Sequence, residues 1–252
     1  MSRLLHDRVA IITGAGRGIG RAVAQGFAAQ GAAVVVNDID AEVCASTAAE
    51  IQASGGVAVC CTGAMGDEAD AANLVATALK VFGGLHILVN AAATLLNAPL
   101  HEMTLAQFDR VIRVHLYGTF FTMRAAAAVM RKQRYGRIIN VVSRAGLRGY
   151  PREANYAAAK AGIVALSLTA AQEWMADGIT VNCISPVAWT RNADSLPEPE
   201  RSASRAARAQ NVLGRVALPE DTVPTFLFLA SDQSAYLTGQ IVHATGQPVH
   251  LM

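Results

Sequence analysis

Aromatic residues are scarce in this 252-residue chain, at 6% of positions. With 52% of residues hydrophobic, Val, Ile, Leu and Ala must fill the core, and 21 glycines favour close backbone packing. An excess of one charge is also missing. Twenty-one Lys and Arg stand against 19 Asp and Glu, a net +2 spread along the chain, which argues against the basic footprint of a nucleic-acid binder. No apolar run reaches the roughly 18 residues a membrane span needs. Met1–Asp7 has no long apolar stretch of the signal-peptide kind. The four cysteines, Cys44, Cys60, Cys61 and Cys183, show no CxxC spacing. They read as small apolar filler, and cytoplasm follows as the expected compartment. No linker or internal repeat divides the chain, so residues 1–252 are expected to form one domain.

Short β-branched runs recur at Val9–Ile12, Ala33–Asn37, Val57–Cys61, Ile87–Asn90, Arg137–Val142, Thr180–Ile184 and Gln240–His243. Between most of them lie alanine-rich stretches of helical periodicity: Gly20–Gln30, Ala41–Ser54, Glu68–Val81, Thr104–Gln133, Asn155–Ala176 and Asp221–Ala230. Runs apolar on both sides suit strands buried under helices. The predicted fold is α/β, a doubly wound parallel sheet of Rossmann type. Arg191–Arg208, rich in Pro, Glu, Ser and Arg, reads as a lid excursion within residues 187–212.

The first strand runs into Thr13-Gly14-Ala15-Gly16-Arg17-Gly18-Ile19-Gly20. Glycines let backbone approach a pyrophosphate, and free amides at a helix start favour its charge. The second strand ends at Asp38, eighteen residues beyond Gly20. A carboxylate there can accept hydrogen bonds from ribose hydroxyls and repels a 2′-phosphate. Arg17 pulls the other way, but no Lys or Arg follows at Ile39, Asp40 or Ala41. The expected cofactor is NAD.

Far along the chain, Tyr156 stands thirteen residues after Ser143, and Lys160 follows Tyr156 by one helical turn. A phenol of pKa about 10 is a poor base at neutral pH. A nearby Lys160 ammonium, together with the positive nicotinamide of NAD⁺, is expected to favour the phenolate and lower that pKa. Tyr156 can then exchange a proton with an alcohol or ketone oxygen that Ser143 holds.

The TGxxxGxG spacing and the Ser143–Tyr156–Lys160 set resemble the short-chain dehydrogenase/reductase family over almost the whole chain. The resemblance implies an NAD(H)-dependent oxidoreductase acting on a small-molecule hydrophobic secondary alcohol or its ketone. It places cofactor contacts at Gly14, Arg17, Gly18, Ile19, Gly20, Asp38, Ala64, Met65, Asn90, Ala92, Tyr156, Lys160, Pro186, Val187, Trp189 and Thr190. Substrate contacts would come from Ser143, Arg144, Leu147, Tyr150 and Trp189, with Leu95 nearby. Several positions depart from the family pattern. Ala93 replaces the glycine of NNAG, Ala64 an acidic residue, Val187 the glycine after Pro186, and His115 an Asn. His115 is either a packed core histidine or part of a proton relay, and nothing at ligand spacing suggests a metal. Val114-His115-Leu116, Val35–Asp38 and Pro186–Arg191 resemble the (3R)-hydroxyacyl-CoA dehydrogenase part of peroxisomal multifunctional enzyme type 2, so a 3-hydroxyacyl thioester is one candidate substrate. Arg191, Arg201, Arg205 and Arg208 would then meet CoA phosphates or form a solvated helix face. A competing reading, prompted by the departures, is a non-catalytic dinucleotide-binding redox sensor or assembly subunit. Apolar helix faces and the end His250-Leu251-Met252 predict a homotetramer.

Overall fold

The computed structural model describes residues 3–190 and 198–248. Arg191 and the apolar end His250–Met252, both used in the sequence reading, lie outside the described residues. Seven parallel strands form one sheet: β1 (Val9–Thr13), β2 (Ala33–Val36), β3 (Val57–Cys60), β4 (Ile87–Asn90), β5 (Gly136–Val141), β6 (Ile179–Pro186) and β7 (Ile241–Ala244). Their order across the sheet is β3-β2-β1-β4-β5-β6-β7. The order reverses between β1 and β4, which opens a crevice above their C-terminal ends.

The strands are legible because both of their faces are buried. Ile12, Val34, Val36 and Ile139 pack on one side with Phe27 and Phe226. Ile11, Val35, Leu88 and Ile138 pack on the other with Met123 and Met130. Alternation at period two thus feeds two cores, and a polar residue on either side would cost solvation without gaining a partner. On the first side lie α1 (Gly18–Ala29), α2 (Ala41–Ala53) and Pro219–Ala230. On the second lie α3 (Glu68–Phe82), α5 (Gly118–Gln133) and α7 (Ala154–Trp174). Local signals set several helix ends. Asp40 caps α2 and Asp67 caps α3 through their side-chain oxygens. A reciprocal Thr104–Gln107 box opens α4 (Leu105–Ile112).

Four expectations are corrected. The helix expected over Thr104–Gln133 is divided: α4 passes through a π-helical turn, Arg113–Tyr117, before α5 begins. The turn carries His115 inward, and Gly118 packs so close to the Met65 carbonyl that a Cβ would lie 2.9 Å from it. The helix after the glycine turn starts at Gly18 rather than further on, and two short helices went unread: α6 (Ala145–Arg148) and α8 (Glu200–Ala209), the latter inside the lid excursion. Pro219–Ala230 is α9. Finally, Cys44 and Cys60 are joined as a disulfide, while Cys61 and Cys183 are buried and free. The filler reading fails for the joined pair because α2 folds back onto β3, a contact that sequence spacing does not show. One ground for a cytoplasmic location goes with it.

Candidate active site

At the end of β1 the chain must turn within touching distance of the loop leaving β4. Gly14 has φ +62°, and a Cβ there would lie 2.6 Å from the Ala92 Cα, so only glycine fits. Thr13 joins the same two strands: its hydroxyl accepts from the Ala91 and Ala92 amides at 3.0 and 3.1 Å. Gly18, also left-handed at φ +54°, opens α1, and the Thr190 methyl sits 3.4 Å from where its Cβ would be. The loop after β6 therefore lies over the glycine turn. The α1 N-terminus has no side-chain cap and no acidic residue in its first turn, which leaves its amides for an anion.

Asp38, at the exit of β2, is held by two backbone amides, Gly16 N–H at 3.0 Å and Asp40 N–H at 3.1 Å. Arg17 turns away to pair with Asp40 at 2.7 Å, and its hydrogen bond holds the Asp40 carboxyl below the usual carboxylate range. A cleft of 360 Å³ starts at Gly14 and Asp38 and runs past Ala64, Met65 and Ala92. Arg110 and Arg113 also line it. The sequence reading missed both, because their three-residue spacing marks a shared helix face without saying what that face meets. The Ala64 amide donates to Asp70 at 2.8 Å, so the backbone at this departure from the family pattern is already engaged.

Ser143 follows β5, Tyr156 and Lys160 lie on α7, and the fold brings the three together. The Ser143 hydroxyl stands close enough to the Tyr156 phenol to favour its ionised form. Lys160 is 3% exposed, and its Nζ donates to the Val141 carbonyl at 2.6 Å while standing 5.5 Å from the centre of the Tyr156 ring. Burial pulls the Lys160 pKa down to about 7. Burial also pushes the Tyr156 phenol up; the Ser143 hydroxyl opposes this and the Glu153 charge adds to it. Lys160 is not among the groups that act on the Tyr156 pKa in this structure. Desolvation disfavours both charged forms here.

Asn90 is buried, and its side chain serves the scaffold. Thr122 Oγ1 donates to it at 2.7 Å, and it donates to Asn140 at 2.8 Å, which in turn donates to Ser167 at 2.8 Å. The chain crosses from α5 through β4 and β5 to α7 and fixes the strand ends that carry the site. Asn155, fully buried beside Tyr156, donates to the carbonyls of Leu96 and Gln107 at 2.9 and 3.2 Å and ties the β4 exit loop to the catalytic helix.

His115 is 1% exposed. Its Nε2 lies 2.9 Å from the Thr94 carbonyl, its Nδ1 has no partner among the described residues, and its ring meets Tyr156 edge-on at 5.2 Å. Burial, aided by the Lys160 charge, lowers its pKa to about 3. It is a neutral, packed imidazole at neutral pH.

Leu95, Leu147 and Tyr150 are exposed. Pro186 ends β6, the Val187 amide donates to Ala244 at 3.0 Å, and the Trp189 amide donates to Ala217 at 2.8 Å. Ile19, on α1, is partly buried against the core. Of the lid arginines, Arg201 is paired with Glu198, whereas Arg205 and Arg208 stand 5.7 and 5.9 Å from the Trp189 ring.

These elements, a glycine turn at a sheet crossover facing a Ser–Tyr–Lys set, are those of a dinucleotide-dependent oxidoreductase. A family model described as enoyl-(acyl carrier protein) reductase matches residues 14–246. The chain is 38% identical to the (2S)-[(R)-hydroxy(phenyl)methyl]succinyl-CoA dehydrogenase subunit BbsD of Thauera aromatica, over 96% of each protein. It is 36% identical to the peroxisomal hydratase-dehydrogenase-epimerase of Saccharomyces cerevisiae, covering 90% of this chain and 25% of that one. A crystal structure of a proposed gluconate dehydrogenase from Agrobacterium tumefaciens superimposes with a TM-score of 0.91 at 32% identity, covering 98% of this chain and 97% of that one. The chain belongs to the short-chain dehydrogenase/reductase family. It is an oxidoreductase acting on small-molecule substrates, in a family whose members typically use nicotinamide cofactors. No helix among the described residues is long and apolar enough to cross a membrane.

Proposed function

We propose that this protein interconverts a hydrophobic secondary alcohol and its ketone with NAD(H), a 3-hydroxyacyl thioester being one candidate substrate. The reading rests on the Ser143 hydroxyl close to the Tyr156 phenol, with the Lys160 amine buried behind it. The residues present fit the cofactor: Gly14 lines the cleft without a side chain, the α1 N-terminus has no side-chain cap, and the Asp38 carboxylate lines the same cleft. When bound, a nicotinamide dinucleotide supplies the hydride acceptor or donor. Ser143 holds the substrate oxygen. In reduction Tyr156 donates its phenolic proton to the carbonyl oxygen, and in oxidation its phenolate takes the proton of the alcohol. Lys160 backs the phenol through the Val141 carbonyl side of the site. Neutral His115 packs against Tyr156 as a positioning residue and keeps its ring from turning. The exposed Leu95, Leu147 and Tyr150 suit an apolar substrate body.

Purified protein, assayed with NAD across aliphatic secondary alcohols and 3-hydroxyacyl-CoA thioesters, is expected to form NADH with at least one of them. Absence of NADH formation across that panel sinks the reading.

We infer a homotetramer as the working form. Leu105, Tyr117, Phe120 and Leu168 are exposed on α4, the π-helical turn, α5 and α7, apolar side chains that self-association would cover. Light scattering at micromolar concentration should give about four times the 26.4 kDa chain mass. A mass of one chain would refute it.

A further inference from the structure

The substrate side of the site carries more guanidinium groups than its neighbours neutralise. Arg144 directly follows Ser143, and Arg148 ends the same short helix, α6. Arg208 on α8 is half-buried and donates to the Ala188 carbonyl, just beyond β6, at 3.1 Å. Arg205 and Arg208 both face Trp189, beside a 420 Å³ cavity. Arg144, Arg148, Arg205 and Arg208 form no ion pair among the described residues, whereas Arg201 is paired with Glu198 and Arg215 with Asp221.

The charges around Arg208 show the same surplus. Burial and the Arg144 charge depress its pKa, and Glu153 is the carboxylate that opposes them. Burial pushes Glu153's own pKa up, so it offsets the cations less than a solvated carboxylate would. His243, at the end of β7, lies within the influence of Arg144 and Arg148, and both its ring nitrogens are buried without partners among the described residues. Arg144 and Arg208 are partly buried, Arg148 and Arg205 exposed, and like charges drawn partly out of water are costly unless an anion joins them. A guanidinium is also the donor best shaped for a carboxylate or phosphate.

We propose that Arg208 and Arg144, with Arg205 and Arg148 around them, bind an oxyanion carried by the substrate, a carboxylate or a phosphate, so that the alcohol or ketone this enzyme converts is itself an anion. The proposal rests on the dehydrogenase reading above and narrows its substrate class.

Two pairs of compounds with one reacting centre each test it. Calorimetric titration compares 3-oxohexanoate with its methyl ester, and NAD-linked oxidation compares 3-hydroxyhexanoyl-CoA with its uncharged N-acetylcysteamine thioester. Wild type should favour the charged member of at least one pair by about tenfold or more, the scale of a hydrogen-bonded charge pair. Preference within the first pair identifies a carboxylate, and preference within the second a phosphate. In Arg208→Gln, and separately in Arg144→Gln on a different element, that ratio should fall toward one. Arg208→Lys should retain part of it. Anion-selective binding without oxidation of any alcohol would leave the site standing and sink the dehydrogenase reading. Oxidation of both thioesters with equal kcat/KM, together with equal binding of acid and ester, would overturn the site and leave the dehydrogenase reading intact. A charge preference unaltered in both Gln variants would also overturn it.

Discussion

Tyr156→Phe is expected to lower turnover by about two to three orders of magnitude or more, with NADH affinity little changed. The substitution removes one hydroxyl from a ring held by His115 at its edge and by the Asn155 contact to its backbone. The packing survives while the transferable proton is lost. Steady-state rates together with NADH titration decide the matter, and near-normal turnover in the variant would rule out the proton-transfer role. The pH dependence has a definite sign. Because burial raises the Tyr156 pKa, the phenol is protonated throughout the neutral range, ready for ketone reduction. Alcohol oxidation by wild type should rise as pH increases, and this rise should vanish in Tyr156→Phe.

The second large effect should come from Asp38. Wild type should use NAD in preference to NADP, and Asp38→Ala should narrow the gap in kcat/KM by about tenfold or more. A carboxylate and a phosphate about 4 Å apart repel by about 4 kcal/mol near a protein surface, before any shift of either group relieves it. Asp38 cannot easily swing aside, because the Gly16 and Asp40 amides hold both its oxygens. Arg17, the residue best placed to welcome a 2′-phosphate, is committed to Asp40. Kinetics with both cofactors test this, and a wild-type preference for NADP would show that Arg17 outweighs Asp38.

The amino-acid sequence alone carried the seven strands, the glycine turn and the Ser143–Tyr156–Lys160 set. Local chemistry suffices for these. A strand buried on both faces must be apolar throughout, a turn where a Cβ would lie 2.6 Å from a neighbouring backbone must be glycine, and two side chains one helical turn apart share a face in any helix. Strand ends were read to within two residues, since the ends of a parallel sheet are set by pairing rather than by composition.

Tertiary structure alone decided the rest. The break in the long helix at Arg113–Tyr117 has no local signal, because it arises where Gly118 meets the Met65 backbone. The Cys44–Cys60 disulfide depends on α2 returning beside β3. Arg110 and Arg113 become cleft residues, and Arg208 comes within reach of the Arg144 and Glu153 charges, only when α4 and α8 dock. Protonation was the least legible property of all. Lys160 at about 7, His115 at about 3 and the raised Tyr156 depart from their ordinary values chiefly through burial. A residue's type sets its charge in water, but how much water it keeps is known only once the whole chain has packed around it.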